Sequence, residues 1–273
     1  MLKALVHSLV FVFLTLLTQI GGLAYLLYFV IRGRVPSHRF PKITNLLVFG
    51  LIYLSFSAGA ALTAPLLGRE PLPCFGAFTD SSIQMQSPLY CLLNRHYVSP
   101  RLKSLTFALA DHVDARHPGS ITLALDAGFP FIEGFPLLPH PSHDDGRKLD
   151  LAFYYKEPNG AYLPGVTKSP LGYWGFENPK NKANSACKKA AKTLSLRWNM
   201  EWFQLFVRHL ELDRQRMATA LKWLKNEGRK KGLSKILIEP HLARAFSISG
   251  GIVRFQGCRA ARHDDHVHIQ VSG

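Results

Sequence analysis

The chain has 273 residues, 47% of them apolar and 19% charged, and 33 Lys and Arg against 18 Asp and Glu give a net charge of +15. Glycine (21) and proline (17) are at ordinary levels and aromatic residues make up 11%, which excludes a collagen-like or disordered chain and leaves length for one medium domain with additions or two small ones. The mean hydropathy of +0.04 hides an uneven distribution, because the apolar excess lies almost wholly in the first quarter.

From Ala4 to Ile31 the chain is almost continuously apolar, broken only by His7, Ser8, Thr15, Thr18 and Gln19 among polar residues. A second apolar run, Ile43 to Leu67, contains no charge. A helix of roughly 20 apolar residues crosses a bilayer core of about 30 Å, so each run is long enough for a span. Buried helices are the alternative for both. A cleaved signal is the alternative for the segment, but the first run exceeds the roughly 7–15 residues of a signal core, and Pro65 disfavours cutting after Ala64. The loop between the runs carries Arg32, Arg34, Arg39 and Lys42, which places it in the cytoplasm and everything after about residue 68 outside. Residues 1–68 therefore read as an anchor of two transmembrane helices in the lipid bilayer of the cell inner membrane. The remainder is expected on the periplasmic or extracytoplasmic side.

Residues 69–94, with Pro71, Pro73, Gly76 and the polar run 79–86, read as a linker. The four cysteines, Cys74, Cys91, Cys187 and Cys258, contain no CxxC pair, which speaks against a cysteine zinc cluster. An oxidising compartment allows two disulfides; Cys74–Cys91 with Cys187–Cys258 is one of three connectivities, and free buried thiols are the alternative. A domain over 95–273 follows. Leu102, Leu105, Ala108, Leu109 and Val113 recur at helical spacing after Pro100, and His117-Pro118-Gly119 ends that helix. Strands are predicted at Ile121–Asp126 and Leu149–Tyr155, separated by a Pro/Gly-rich loop. The irregular stretch 158–192 holds Lys180, Lys182, Lys188, Lys189 and Lys192, either a solvated loop or a surface for an anionic polymer. Met200, Phe203, Phe206, Val207 and Leu210 predict one helix, and Met217, Ala220, Leu221 and Leu224 another. Trp198, Trp202 and Trp223 fall in these helical patterns and read as core, while Trp174 in a Gly-rich loop is a candidate groove residue. Lys235–Glu239 and the alternating run from His266 to Val271 complete the strands. The fold class is α+β, a small and mostly antiparallel sheet with flanking helices.

Chemistry concentrates at two places among the twelve histidines. The first is His143-Asp-Asp-Gly-Arg-Lys-Leu-Asp150; the second is His263-Asp-Asp-His266-Val-His268. Residues two apart in a strand share a face, so His266 and His268 point one way while Val267, Ile269 and Val271 point into the core. Asp150 opens a strand opposite the core-facing Leu151 and Phe153. Two adjacent strands then bring Asp150 and His268 together, and His143 on the loop before the first strand completes the set. Two imidazoles and one carboxylate form a ligand set for catalytic zinc with one position left for water. Hydrolysis needs a neighbour that handles the proton or the developing charge. His266 is placed for that role, with His263 as a second candidate.

These stretches resemble the zinc peptidases grouped with lysostaphin, the D-Ala-D-Ala metallopeptidases and the hedgehog domain, and are most similar to the penicillin-insensitive murein endopeptidases. The likeness rests on Leu138-Pro-His-Pro-Ser-His-Asp-Asp-Gly-Arg-Lys-Leu-Asp150-Leu, Ile238-Glu-Pro-His-Leu242, Arg262-His-Asp-Asp-His-Val-His-Ile269 and Arg197-Trp-Asn199, and it spans about residues 95–273. The resemblance implies that His143, Asp150 and His268 bind Zn²⁺. It makes His266 the catalytic partner of the activated water, with His263 as a further active-site histidine. His140 matches too, as an accessory ligand or an orienting group. The implied activity is that of a zinc metallopeptidase cutting D-Ala–meso-diaminopimelate amide cross-links in peptidoglycan stem peptides. The hairpin anchor and the basic segment 178–192 fall outside the family pattern. A D,D-carboxypeptidase or dipeptidase on the same site, or a non-catalytic zinc-binding wall module, are the alternatives; no nucleic-acid motif appears despite the basic charge. Glu239 is either a base or, more in keeping with its place at a strand end, an orienting group. His241 reads as a helix start. Asp144, Asp145, Asp264 and Asp265 flank the ligands, and some are expected to orient imidazoles.

Overall fold

The computed structural model describes residues 1–34, 41–76, 81–179, 186–187, 197 and 201–273. In chain order the helices are α1 (Leu2–Thr18), α2 (Gly21–Ile31), α3 (Pro41–Thr63), α4 (Pro88–Leu92), α5 (Pro100–Arg116), α6 (Arg214–Trp223) and α7 (Pro240–Ala245). The strands are β1 (Glu70–Pro71), β2 (Ile83–Met85), β3 (Tyr97–Val98), β4 (Thr122–Ala124), β5 (Lys148–Ala152), β6 (Tyr155–Lys156), β7 (Glu211–Leu212), β8 (Leu233–Leu237), β9 (Val253–Arg254) and β10 (His266–Val271). The protein is α+β, with helices flanking a six-stranded mixed sheet in the order β2-β4-β5-β10-β8-β9.

The centre of this sheet is antiparallel and its edges are parallel. β10 runs antiparallel to both β5 and β8, whereas β2 pairs with β4 and β9 with β8 in parallel. The β5–β10 register sets His268 opposite Asp150 and His266 opposite Ala152. Directly opposed residues share a face, so register alone delivers the two strand donors to one point. On the other face Leu149, Leu151, Val267, Ile269 and Val271 are buried against the helices. α5 begins at a Ser99 cap with Pro100 in its first turn and buries Leu102, Leu105, Leu109 and Val113. α6 packs on it and is capped by Asp213, whose carboxylate accepts from the amides of Gln215 and Arg216 at 3.1 and 3.0 Å.

Several sequence expectations change. The first apolar run is two helices rather than one span. Gln19 adopts φ 65°, in the left-handed region, and closes α1. A Cβ on Gly21 would lie 2.6 Å from Thr18 Oγ1, and one on Gly22 only 1.9 Å from Thr15 Oγ1, so the glycine pair allows α2 to turn back tightly along α1. Among the described residues, one helical stretch, Pro41–Leu67, is long and apolar enough to cross a membrane. Residues 69–94, expected as a linker, supply β1, β2 and α4 and place Leu72, Met85 and Tyr90 in the core.

The disulfides are Cys74–Cys91 and Cys187–Cys258. The helix expected around 200–210 is a short 3-10 turn, Glu201–Phe206, which leaves Trp202, Leu205 and Phe206 exposed; Trp202 is therefore not core. Gln204 donates to the Trp174 carbonyl at 2.5 Å and, with the Phe203 ring against Trp174, ties this turn to the loop that carries Trp174. The strand expected to run to Glu239 ends at Leu237, and Glu239 precedes α7, in whose first turn His241 lies. Lys180, Lys182, Lys188, Lys189, Lys192, Trp198 and Asn199 lie outside the described residues.

Candidate metal centre

β5 and β10 carry Asp150 and His268, and the loop entering β5 carries His143. His143 Nε2 lies 3.1 Å from His268 Nδ1 and 3.5 Å from Asp150 Oδ1; His268 Nδ1 lies 2.8 Å from Asp150 Oδ1. Ligand bonds of about 2.0–2.1 Å at a tetrahedral ion put donors roughly 3.3 Å apart, so these separations match one shared ion. All three side chains are buried, and the group can hold a metal ion.

The remaining atoms of the set are committed elsewhere, which fixes the free donors inward. His143 Nδ1 donates to the Asp126 carbonyl at 3.0 Å, with the Ala127 carbonyl at 3.2 Å. Its Nε2 is therefore the lone-pair nitrogen that faces the centre. Tyr173 donates its hydroxyl to Asp150 Oδ2 at 2.7 Å and leaves Oδ1 for the ion. His266 holds its Nδ1 at 2.5 Å from Asp265 Oδ1, while its Nε2 sits 3.7 Å from Asp150 Oδ2. Asp265 itself is locked by the Trp174 amide at 2.5 Å. The backbone of Trp174 thus supports the centre, and its ring packs 5.3 Å from Phe203.

Neither accessory residue joins the three donors. His140 Nδ1 is held at 2.8 Å by Asp126 Oδ2 and stands 3.9 Å from Asp150 Oδ2, so it borders the set. Asp126 is a buried carboxylate shared by His140 and the Arg95 guanidinium, whose Nε contributes a 2.8 Å bond. Glu239 is turned away into a two-bond ion pair with Arg197 at 2.8 and 2.9 Å. Its amide donates to the His263 carbonyl at 3.0 Å, and its Oε1 accepts from the His263 amide at 3.4 Å. It holds the His263 segment in place, with both carboxylate oxygens bonded to Arg197. His263 stacks near His266, with ring centroids 4.9 Å apart. Among the flanking acids, Asp265 orients an imidazole, Asp264 pairs with Arg262, and Asp144 and Asp145 pair with Lys148.

Electrostatics separates these groups. Burial opposes the charged Asp150 carboxylate, but His143, His266 and His268 outweigh it and hold its pKa well below the usual range. Burial pushes His268 down to about 4 despite Asp150, so it is neutral near pH 7. Burial also opposes charge on His143, yet Asp150 prevails and raises it. His266 is pulled down by burial and pushed up more strongly by Asp150 and Asp265, reaching about 9. His263 falls well below its ordinary value through burial and the neighbouring His266.

Two outcomes follow from this geometry. Metal loading competes with a proton for His143, whose pKa Asp150 raises. A raised pKa favours the metal-free form on the acid side, so apparent affinity should fall roughly tenfold per pH unit below that pKa. Competition titrations with a chromophoric chelator across the neutral range would show it, and a flat profile would contradict it. Tyr173→Phe should keep the fold and lower metal affinity by roughly 10- to 100-fold, read by the same titration.

Asp126, Arg95 and Tyr173 were not singled out from the sequence. Asp126 carries a signal in hindsight, a lone carboxylate between Leu125 and Ala127 at the end of an apolar strand. Tyr173 carries none, since it reaches Asp150 only through tertiary folding. No known family model matches the chain, and no curated protein matches it.

Proposed function

We propose that the chain is a membrane-anchored zinc metallopeptidase that hydrolyses D-Ala–meso-diaminopimelate amide cross-links in peptidoglycan, with its domain on the periplasmic side of the inner membrane. The observation that carries the reading is the buried convergence of His143 Nε2, Asp150 Oδ1 and His268 Nδ1 beside His266. Two nitrogens and one oxygen with a fourth position open suit catalytic zinc better than the all-oxygen shells of calcium or magnesium. When bound, zinc supplies polarisation of a carbonyl and acidification of water.

The chain's own residues supply the rest. His263 and His266 lie side by side with pKa values pushed in opposite directions, which is the signature of a base and an acid. Neutral His263 accepts the proton of the attacking water. Cationic His266, oriented by Asp265, faces the negative charge that develops on the scissile carbonyl and gives its own proton to the departing amine, and the proton held by His263 then passes to the neighbouring His266 to restore both rings. With a divalent cation held by His143, Asp150 and His268, the pull of the Asp150 carboxylate on His266 would be partly offset and the His266 pKa would fall below about 9. Val267, Ile269 and Val271, buried on the opposite face of β10, hold His266 and His268 on one strand, while the Glu239 carboxylate accepts from the His263 amide just before it.

The test is digestion of purified sacculi by the full chain in detergent, with and without a chelator. Monomeric muropeptides appearing from cross-linked dimers, only with metal, support the reading. Release of terminal D-Ala alone would replace it with a carboxypeptidase. Metal uptake with no product would replace it with a binding module.

A further inference from the structure

The three N-terminal helices meet the sheet domain at two polar junctions. At the first, the break between α1 and α2 places Gln19 against loop 129–139: its Oε1 accepts from the Phe131 amide at 2.8 Å, and its Nε2 donates to the Ile132 carbonyl at 3.4 Å. Phe131 packs into a cluster of Ile20, Ala24, Tyr53 and Ala60. At the second, Tyr53 of α3 donates to the Leu92 carbonyl at 2.5 Å, and buried Asn94 donates to Tyr53 Oη and Ser57 Oγ at 2.8 and 3.1 Å. The first junction lies at the turn between α1 and α2 and the second within α3, and the outward leucines, valines and phenylalanines of these helices are exposed.

The domain surface continues that apolar coat. Loop 129–139 reads Phe-Pro-Phe-Ile-Glu-Gly-Phe-Pro-Leu-Leu-Pro, with Glu133 its one charge. Ile132 is 57% exposed and Leu138 59% exposed, and Leu92 at the second junction is also exposed. Exposed apolar side chains contiguous with a hydrophobic span are covered by the phase that covers the span. Loop 129–139 also leads straight into the metal centre. The Leu138 carbonyl is fixed by Arg95 at 2.6 Å, and His140, two residues on, is the most exposed of the imidazoles lining the set, at 19% against 2–7% for His143, His266 and His268.

We infer that loop 129–139 rests in the surface of the bilayer and holds the rim of the metal centre against the membrane. This rests on the membrane-anchored reading above. The helices are then part of the frame that positions the centre, and the site faces substrate lying within reach of the lipid surface.

The experiment uses the full chain in phosphatidylethanolamine–phosphatidylglycerol vesicles. Ile132→Cys and Leu138→Cys are labelled with an environment-sensitive fluorophore, with Leu51→Cys in α3 and Lys222→Cys on α6 as references. The four native cysteines are in disulfides and leave the introduced thiol for the label. Quenching by nitroxide-bearing lipid and by iodide is then measured, and metal uptake by each labelled chain confirms its fold. The expected result is strong lipid quenching at 132 and 138, as at 51, with iodide quenching severalfold weaker than at 222. Iodide quenching at 132 and 138 equal to that at 222, with 51 still in lipid, would overturn the inference and leave the anchor standing. Iodide access at 51 would overturn the anchor and the inference together.

Discussion

Replacing His268 with alanine is expected to abolish metal binding and hydrolysis together. His268 Nδ1 is the donor closest to both others, at 2.8 Å from Asp150 and 3.1 Å from His143. Without it two donors remain, and the loss should exceed the roughly 10- to 100-fold typical of removing a group that only orients a ligand. His143→Ala and Asp150→Asn should behave alike. Asp150→Asn has a further cost. The buried Asp150 carboxylate favours the charged form of His266 together with Asp265, and losing it removes one of the two carboxylates that offset that buried charge, at a cost in stability. Sign follows from its depressed pKa. The stability it provides is present above the ordinary carboxylate range and is lost as pH falls through its lowered value. Metal content by mass spectrometry, with unfolding followed by circular dichroism, separates the two effects. Full metal content in His268→Ala would contradict the ligand assignment.

His266→Ala should give the opposite pattern, with metal retained and turnover reduced by roughly 10²–10⁴-fold, the usual contribution of a positioned acid or base. The side chain lies 3.7 Å from Asp150 Oδ2 and offers no donor to the shared point of the three ligands. Asp265→Asn should cost less, because it keeps the imidazole but removes the carboxylate that fixes it. The loss should fall on kcat more than on KM, since charge on the carbonyl oxygen develops only along the reaction. Single-turnover assays on metal-loaded protein measure this; unchanged kcat in His266→Ala would remove it from the mechanism.

The centre was legible because it depends on local regularities. Alternation from His266 to Val271 fixes which side chains face away from the core, and an Asp in the neighbouring strand needs only register to meet them. The groups that complete it were illegible for a physical reason. His143 is oriented by the backbone carbonyl of Asp126, which no residue type announces, and Asp150 is shared with Tyr173 from a loop 23 residues away. Hydropathy misled at the N-terminus, because one glutamine barely changes the average of an apolar run. Its side chain bonds three backbone groups of a loop 112 and 113 residues on, and this together with Gly21 and Gly22 divides the run. Apolar spacing misled again at 201–206, where Phe203 packs on Trp174 while Trp202, Leu205 and Phe206 stay at the surface.

X-ray absorption at the zinc edge on the purified full chain tests the central claim most directly. The account predicts one zinc per chain, bound through nitrogen and oxygen donors at about 2.0–2.2 Å with imidazole scattering from two histidines, and loss of that signal in His143→Ala. A metal-free protein after zinc incubation, or zinc bound through sulfur and unaffected by His143→Ala, would contradict it.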